Sequence, residues 1–481
     1  MSYKYPVAGE ANSHVTLHSY DVETRKTKDI TLPDNRIEYI PRIQYGPTPE
    51  TLVVAALDRN QSLYFIYKVN PKSTVAKEIY TEESKTWINP ASYEDLRTEA
   101  DCIVVNSWRD GYNRLYFYNY NGVEIRQAAG GDCDVTAYYG TDAKGNIYYQ
   151  AAAPTPLDRT VRVIDAKGKV SDLSADTGIS SANFAPGMKY AVVRYEGPST
   201  PPVYTVMSAN GKKGRVLEDN SAYADRALPL VAKREFFTMQ SGNVTLNGYV
   251  IKPQGYTAGK KYPVVMYQYS GPGPQEVLHR WQLDWMDAFA RQGYAIVCVD
   301  GRGTGGRGRD FCDIVYKRLG HYETIDQIAA AKYVATLPFA DPERIAIYGW
   351  SYGGYEALMA STADNSPYKA AVAIAPVTDW RFYDTVYAER FMQTPGQNND
   401  GYDKSAPVNR AGKLSCPLLI MYGTADDNVH PTNSIEFVRE LERQNKWCDM
   451  LLFPDKNHSI YGGNARAMVY MKMLNWLNTN L

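Results

Sequence analysis

No apolar run in these 481 residues approaches the roughly 18 to 20 that a membrane-spanning helix needs. The opening MSYKYPVAGEANSH also lacks the apolar core of a secretion signal, so the chain as given reads as soluble and unaddressed. An excess of charge of either sign is equally missing: 52 basic residues meet 53 acidic ones, and the net charge is −1. This balance removes the footprint expected of a nucleic-acid or anionic-membrane binder and leaves small molecules or peptides as partners. Cysteine is sparse. The six cysteines, at 102, 133, 298, 312, 416 and 448, form no CxxC pair and have no histidines at metal spacing. They read as buried thiols rather than as a metal or redox centre, with disulfides still open to an exported chain.

What is present divides the chain in two, as its length leads one to expect. The first 230 residues are dense in tyrosine, alternate apolar with polar positions and carry turn signals such as RDGYN, AKGN and SANGKKG. These are marks of short antiparallel strands. One strand-and-turn pattern recurs in VTLHSYDV from Val15, LYFIYKV from Leu63, LYFYNYNG from Leu115, VRVIDAKG from Val161 and VYTVMSANG from Val203. A spacing of about 42 to 52 residues matches four-stranded propeller blades, with a β-sandwich as the alternative. The copy at Val15 has no room before it for earlier strands. The chain is therefore expected to start inside a blade, as the back part of a β-propeller from which earlier sequence is missing.

Around residue 231 the pattern changes. A hairpin-like stretch, KREFFTMQSGNVTLNGYVIKPQ, leads to the apolar runs YPVVMYQY, YAIVCVD, RIAIYGW, AAVAIAPV and PLLIMYG, separated by helical segments. Short continuous apolar runs alternating with helices indicate a mostly parallel sheet covered on both faces. Thr324-Ile-Asp-Gln327 reads as a capping box that opens one of the helices. Residues 231–481 are thus expected to form an α/β domain after an all-β domain over 1–230.

GWSYGGY at 349 follows the strand RIAIY and precedes the helical EALMASTA. That is the strand–turn–helix setting of a nucleophile elbow, which projects one hydroxyl, here Ser351, from a sharp turn. A serine hydroxyl needs an imidazole to take its proton and a carboxylate to orient that imidazole, following it in the order serine, acid, base. Only His430 and His458 lie after Ser351. His458, in the loop PDKNH after the strand MLLF, is the candidate base, and His430 reads as a structural loop residue. The acid belongs in GTADDNVH, where the residues alone leave Asp426 and Asp427 equally eligible.

VLEDNSA at 216, DGRG at 300, RLG at 318–320, GWSYGGY at 349, VYAERFM at 386 and GTADDNVH at 423 resemble, in this order along the chain, the prolyl oligopeptidase family of serine peptidases, most closely its dipeptidyl peptidase IV branch. The resemblance covers nearly the whole chain. It implies an α/β-hydrolase domain behind an eight-bladed propeller, and release of dipeptides with proline or alanine second from peptides with a free N-terminus. It also implies that Asp426 is the acid, that Tyr269 in YQYSGPGP and the amide of Tyr352 form the oxyanion hole, and that Tyr352, Val377, Trp380, Tyr383, Tyr387 and Val429 line the proline slot. Asn428 would hold the penultimate carbonyl, and Arg390 would support the loop. No metal or organic cofactor is implied. Export to the periplasm or cell surface and a homodimer are expected by resemblance, whereas a nucleic-acid partner is not.

The family's acidic pair for the substrate amino group, and an arginine beside it, have no match here. The sequence resembling SYKYPVAGEAN follows that region in the family, which agrees with a chain that starts within the propeller. The readings carried forward are a serine dipeptidyl peptidase, a tripeptidyl or acyl-aminoacyl peptidase of the same family, and a catalytically impaired binding scaffold. An esterase or lipase has no use for a proline-shaped slot.

Overall fold

A computed structural model describes residues 4–128, 131–175 and 177–481, so the first residues of the SYKYPVAGEAN stretch lie outside it. The tyrosine-rich front folds into a hairpin, Leu17–Asp21 with Lys26–Ile30, and four consecutive four-stranded antiparallel meanders over residues 37–83, 97–128, 135–172 and 179–218. The recurring pattern marks the third strand of each meander: Leu63–Val69, Arg114–Asn119, Thr160–Ile164 and Thr200–Ser208. Its first copy falls on Leu17–Asp21, the leading strand of the hairpin.

The alternation in these strands has a packing cause. In the first two meanders Tyr64 and Ile66 face Ile103, Val105 and Tyr116 across one layer, while Val104, Leu115 and Phe117 face Tyr138, Ile147 and Tyr149 of the next. Central strands therefore bury both faces, each against a neighbouring sheet, as stacked blades do and the two sheets of a sandwich do not. Tyrosine suits such layers because its ring fills them while its hydroxyl reaches a polar edge. Tyr116, for example, donates to Asp110 and Tyr120 to the Glu99 carbonyl.

The second half is one eight-stranded sheet built from β1 (Arg234–Ser241), β2 (Val244–Ile251), β3 (Tyr262–Tyr267), β4 (Ala295–Asp300), β5 (Ala340–Trp350), β6 (Ala370–Ile374), β7 (Leu418–Gly423) and β8 (Asp449–Phe453). Its order is β1-β2-β4-β3-β5-β6-β7-β8, antiparallel at the β1–β2 and β2–β4 pairings and parallel thereafter. Every residue of β4, β6 and β7 is buried, the outcome expected of apolar runs covered on both faces. The connecting helices include α1 (Trp285–Arg291), α2 (His321–Ala335), α3 (Tyr352–Ser361), α4 (Thr385–Met392), α5 (Thr432–Arg443) and α6 (Ala465–Asn480).

Two expectations need correcting. Helix α2 begins at His321, so Thr324 lies inside its first turn and caps nothing. The helix instead starts behind Gly320, whose left-handed backbone (φ 78°) turns the chain out of the RLG segment, a conformation threonine resists. The cysteines are also less uniformly buried than expected. Among the described residues none forms a disulfide, and Cys133, Cys416 and Cys448 are only half-buried.

The two halves meet along the loops that carry the candidate site. Arg59 of the first meander pairs with the fully buried Glu389 of α4 (Nε–Oε2 2.7 Å), and Gln61 donates to the Val386 carbonyl. The N-terminal segment adds a short antiparallel bridge, Val7 to Asp384, and the Gly9 amide donates to Glu389.

Candidate active site

Each parallel strand ends at the same rim of the sheet, where open α/β sheets generally carry their ligands. Ser351 stands directly after β5 with φ 60° and ψ −118°, a strained conformation for a residue with a side chain. The neighbouring glycines do not share that strain. They supply space: a Cβ on Gly349 would lie 2.1 Å from the Gly353 carbonyl oxygen, one on Gly353 2.5 Å from the Gln268 oxygen, and one on Gly354 2.6 Å from the Ile374 oxygen. The start of α3 is thereby pressed against the ends of β3 and β6, and Ser351 lines a pocket at the turn.

The structure brings His458 and Asp426 together, with Nδ1 2.8 Å from Oδ2. The other carboxylate oxygen, Oδ1, accepts the amides of Asn428 and Val429, both at 3.0 Å, so the carboxylate is fixed at each end. The Asp426 side chain is fully buried and Asp427 is exposed, which separates two neighbours that the sequence could not. The His458 loop crosses β7 where only glycine fits, since a Cβ on Gly423 would lie 2.1 Å from the Lys456 oxygen. Trp350 secures the loop from the other side by donating its indole N–H to the His458 carbonyl at 3.1 Å. Ser351 and His458 line one pocket. Among the described residues no hydrogen bond joins their hydroxyl and ring, and such bonds commonly tighten only when substrate enters. His430 lies apart, its ring 4.1 Å from that of Tyr5.

Tyr352 is the first residue of α3, so its amide is one of the donors that a helix leaves without an internal partner. Its phenol donates to Glu323 Oε1 at 2.7 Å, a contact that no sequence motif announced. Burial pushes the Glu323 carboxyl up to about 7. Tyr269 lines the same pocket as Ser351, and burial raises its phenol, with a smaller push from the Glu276 charge.

Within α3, Glu356 is fully buried, and among the described residues neither of its carboxyl oxygens finds a hydrogen-bond partner. Burial raises its carboxyl well above the usual range. An acid whose folded value exceeds its unfolded one costs stability as pH climbs from the unfolded value toward the folded one. Glu356→Met is therefore expected to stabilise the α/β domain by about 1 to 3 kcal/mol at pH 5, the usual cost of an unsatisfied buried polar group. The gain should be larger at pH 8, and melting curves at the two pH values check both the sign and the trend.

The aromatic residues of APVTDWRFYDTVY converge on α3. Tyr352, Val377, Trp380, Tyr383 and Val429 belong to one buried cluster against which Tyr269 and Tyr387 pack. Trp380 stacks on Tyr387 (5.7 Å, 20°) and meets Tyr383 edge-on (5.7 Å, 81°). Asn428 is exposed beside the cluster and accepts the Tyr383 hydroxyl. Arg390 points away from the cluster to Gln61 Oε1 (2.7 Å) and the Tyr93 hydroxyl (3.2 Å), both in the blade region. No motif pointed to the edge that the N-terminal segment lends to this loop, where the Ala8 amide donates to the Tyr383 carbonyl (3.0 Å) and the Tyr5 hydroxyl to the Asn428 carbonyl (2.8 Å).

The chain matches known proteins over its whole length. Residues 280–481 fit the model of the prolyl oligopeptidase family, and residues 1–202 fit that of the dipeptidyl peptidase IV N-terminal region. It is 33% identical over 508 residues to a probable dipeptidyl-aminopeptidase B of Emericella nidulans, covering 98% of this chain and 55% of that protein. A protein of the same name from Pyrenophora tritici-repentis is 33% identical over 507 residues, covering 98% and 57%. The crystal structure of Porphyromonas gingivalis dipeptidyl peptidase 4 superimposes with a TM-score of 0.97 at 42% identity, over 100% of this chain and 69% of that one. The chain thus spans a little over half the length of these curated relatives.

Proposed function

Because the chain belongs to the prolyl oligopeptidase family of serine peptidases, on its dipeptidyl peptidase IV branch, we propose that Ser351, His458 and Asp426 carry out covalent peptide hydrolysis. The peptides cleaved are those with a free N-terminus and proline or alanine in second position. The observation that carries this reading is the 2.8 Å contact from the His458 ring to a buried carboxylate, beside a serine held on a strained elbow.

In this mechanism His458 Nε2 takes the Ser351 proton as the hydroxyl attacks the carbonyl carbon, and Asp426 stabilises the imidazolium that forms. The oxygen that becomes negative lies between the Tyr352 amide and the Tyr269 hydroxyl. The imidazolium then protonates the departing amine, and water, activated by the same ring, hydrolyses the acyl-enzyme. The cluster around Trp380 accepts a pyrrolidine ring without leaving a polar group unpaired, since proline brings no N–H that needs a partner. Asn428, exposed at its edge, is placed to hold the penultimate carbonyl.

Faster turnover of Gly-Pro and Ala-Pro amides with free N-termini than of their N-acetylated or tripeptidyl counterparts would support the dipeptidyl reading, although the family's acidic pair for the amino group has no match in this chain. Preference for the tripeptidyl amides would favour the tripeptidyl reading, and preference for the acetylated ones an acyl-aminoacyl peptidase. Tyr269→Phe is expected to reduce kcat about 100-fold or more with little change in KM, because the lost donor acts on charge that develops only in the transition state. Steady-state kinetics on Gly-Pro-p-nitroanilide check that split. Export and dimerisation belong to the same reading, and Met450, Leu452, Met468 and Met471, exposed on edge strand β8 and helix α6, offer an apolar surface for a second subunit.

A further inference from the structure

Two spaces of different chemistry adjoin Ser351. One is the aromatic cluster reached through Tyr352. The other is a pocket of about 310 Å³ in which Ser351 and His458 form one wall while Trp285, Trp350, Arg466 and Tyr470 contribute the others. Among the described residues no aspartate or glutamate lines it. Arg466, in the first turn of α6, holds its guanidinium 4.4 Å from the centre of the Trp350 ring and makes no ion pair among the described residues. One turn on, Tyr470 stacks on Trp285 at 5.7 Å and 5°. The result is a rigid aromatic box with one charge, a half-buried arginine whose planar donors are already oriented by the indole beneath them.

The position of the imidazole decides which part of a substrate this box faces. The base gives its proton to the leaving amine, so the leaving peptide departs past His458, and a pocket walled by His458 faces that segment. Resting on the serine-peptidase reading above, in which this pocket faces the leaving peptide, we propose that Arg466 selects a leaving peptide that carries a carboxylate and binds that carboxylate. The carboxylate comes either from an acidic side chain or from the C-terminus of a short peptide. Because Trp350 underlies Arg466 and also ties down the His458 carbonyl, the bound anion sits beside the catalytic base.

The test compares kcat/KM of the full chain on Gly-Pro-Glu-Ala-amide against Gly-Pro-Gln-Ala-amide, and on Gly-Pro-Ala-Ala against its C-terminal amide. The first pair reads a side-chain carboxylate and the second a terminal one. In at least one pair the acid should be preferred about tenfold, the scale of one charge-assisted hydrogen bond at a half-exposed site. Arg466→Gln should bring that ratio close to one, Arg466→Lys should retain part of it, and added salt should shrink it. Ratios near one in the unaltered chain, or a preference that survives Arg466→Gln, overturn the proposal.

A second readout does not depend on turnover. Glu-Ala-amide or Ala-Ala should perturb tryptophan fluorescence of Ser351→Ala protein at lower concentration than Gln-Ala-amide or Ala-Ala-amide, respectively. That difference should vanish when Arg466→Gln is added. A chain that cleaves no Gly-Pro substrate defeats the peptidase reading, while the titration still decides whether Arg466 selects carboxylates.

Discussion

Ser351→Ala should lower kcat on Gly-Pro-p-nitroanilide by about a million-fold, the scale on which serine peptidases lose rate when the nucleophile alone is removed. The expectation rests on how the residue is held. A side chain at φ 60° and ψ −118° is kept there against its own preference by the surrounding structure, with its amide donating to the Ile374 carbonyl at 2.8 Å and its carbonyl accepting the Tyr355 amide at 2.9 Å. Alanine leaves these backbone bonds in place, so the fold and the Trp380 cluster should persist and the melting temperature should barely move. The test is paired: unaltered and Ser351→Ala protein are assayed together and treated with a fluorophosphonate probe. Labelling confined to the unaltered protein, with the rate loss, supports covalent catalysis. Equal rates, or an unlabelled parent chain, would leave a binding scaffold as the better reading.

The sheet was legible because its strands are buried on both faces and therefore spell continuous apolar runs. VVM, AIVCV, AAVAI and LLIMY fall in the strands to which they were assigned. The blades were legible for a different reason. A third strand packed between two neighbours repeats its alternation with each sheet, so a period emerges even though no single copy is distinctive. What stayed hidden depends on contacts between segments distant in sequence. T-x-x-Q looked like a cap, but the chain enters α2 from the left-handed Gly320, and the helix begins at His321, ahead of Ile325, the first helical residue that spelling would allow. Asp426 and Asp427 are equivalent as letters, and only the turn that gives Asp426 two backbone amides buries one and exposes the other. Glu389, inside VYAERFM, is joined to Arg59 and to the Gly9 amide, from parts of the chain more than 300 residues away. The glycines of GWSYGGY serve close approach, and the unusual backbone angle falls on the serine itself, which the letters of the motif do not spell out.

Asp426→Asn should cost about ten-thousand-fold in kcat while leaving stability nearly untouched, as expected when an acid that orients a catalytic histidine becomes an amide. The two oxygens of Asp426 have different duties. Oδ1 accepts two backbone amides at 3.0 Å, and Oδ2 accepts the ring nitrogen Nδ1 of His458 at 2.8 Å. An asparagine in this turn must keep its carbonyl oxygen toward the two amides, because the reversed rotamer would set donors against donors. Its NH2 group then faces Nδ1 and can be satisfied only if Nδ1 carries no proton. That moves the proton to Nε2, the nitrogen that must accept the Ser351 hydroxyl proton, so the ring presents a donor where catalysis needs an acceptor. Asp427→Asn, altering an exposed side chain that touches neither duty, should change kcat by no more than a few-fold. Kinetics and melting curves for both variants decide the matter: a large loss in the Asp427 variant with a small one in the Asp426 variant would reverse the assignment. A large loss in Asp426→Asn accompanied by a collapse in melting temperature would show instead that its chief task is to hold the turn.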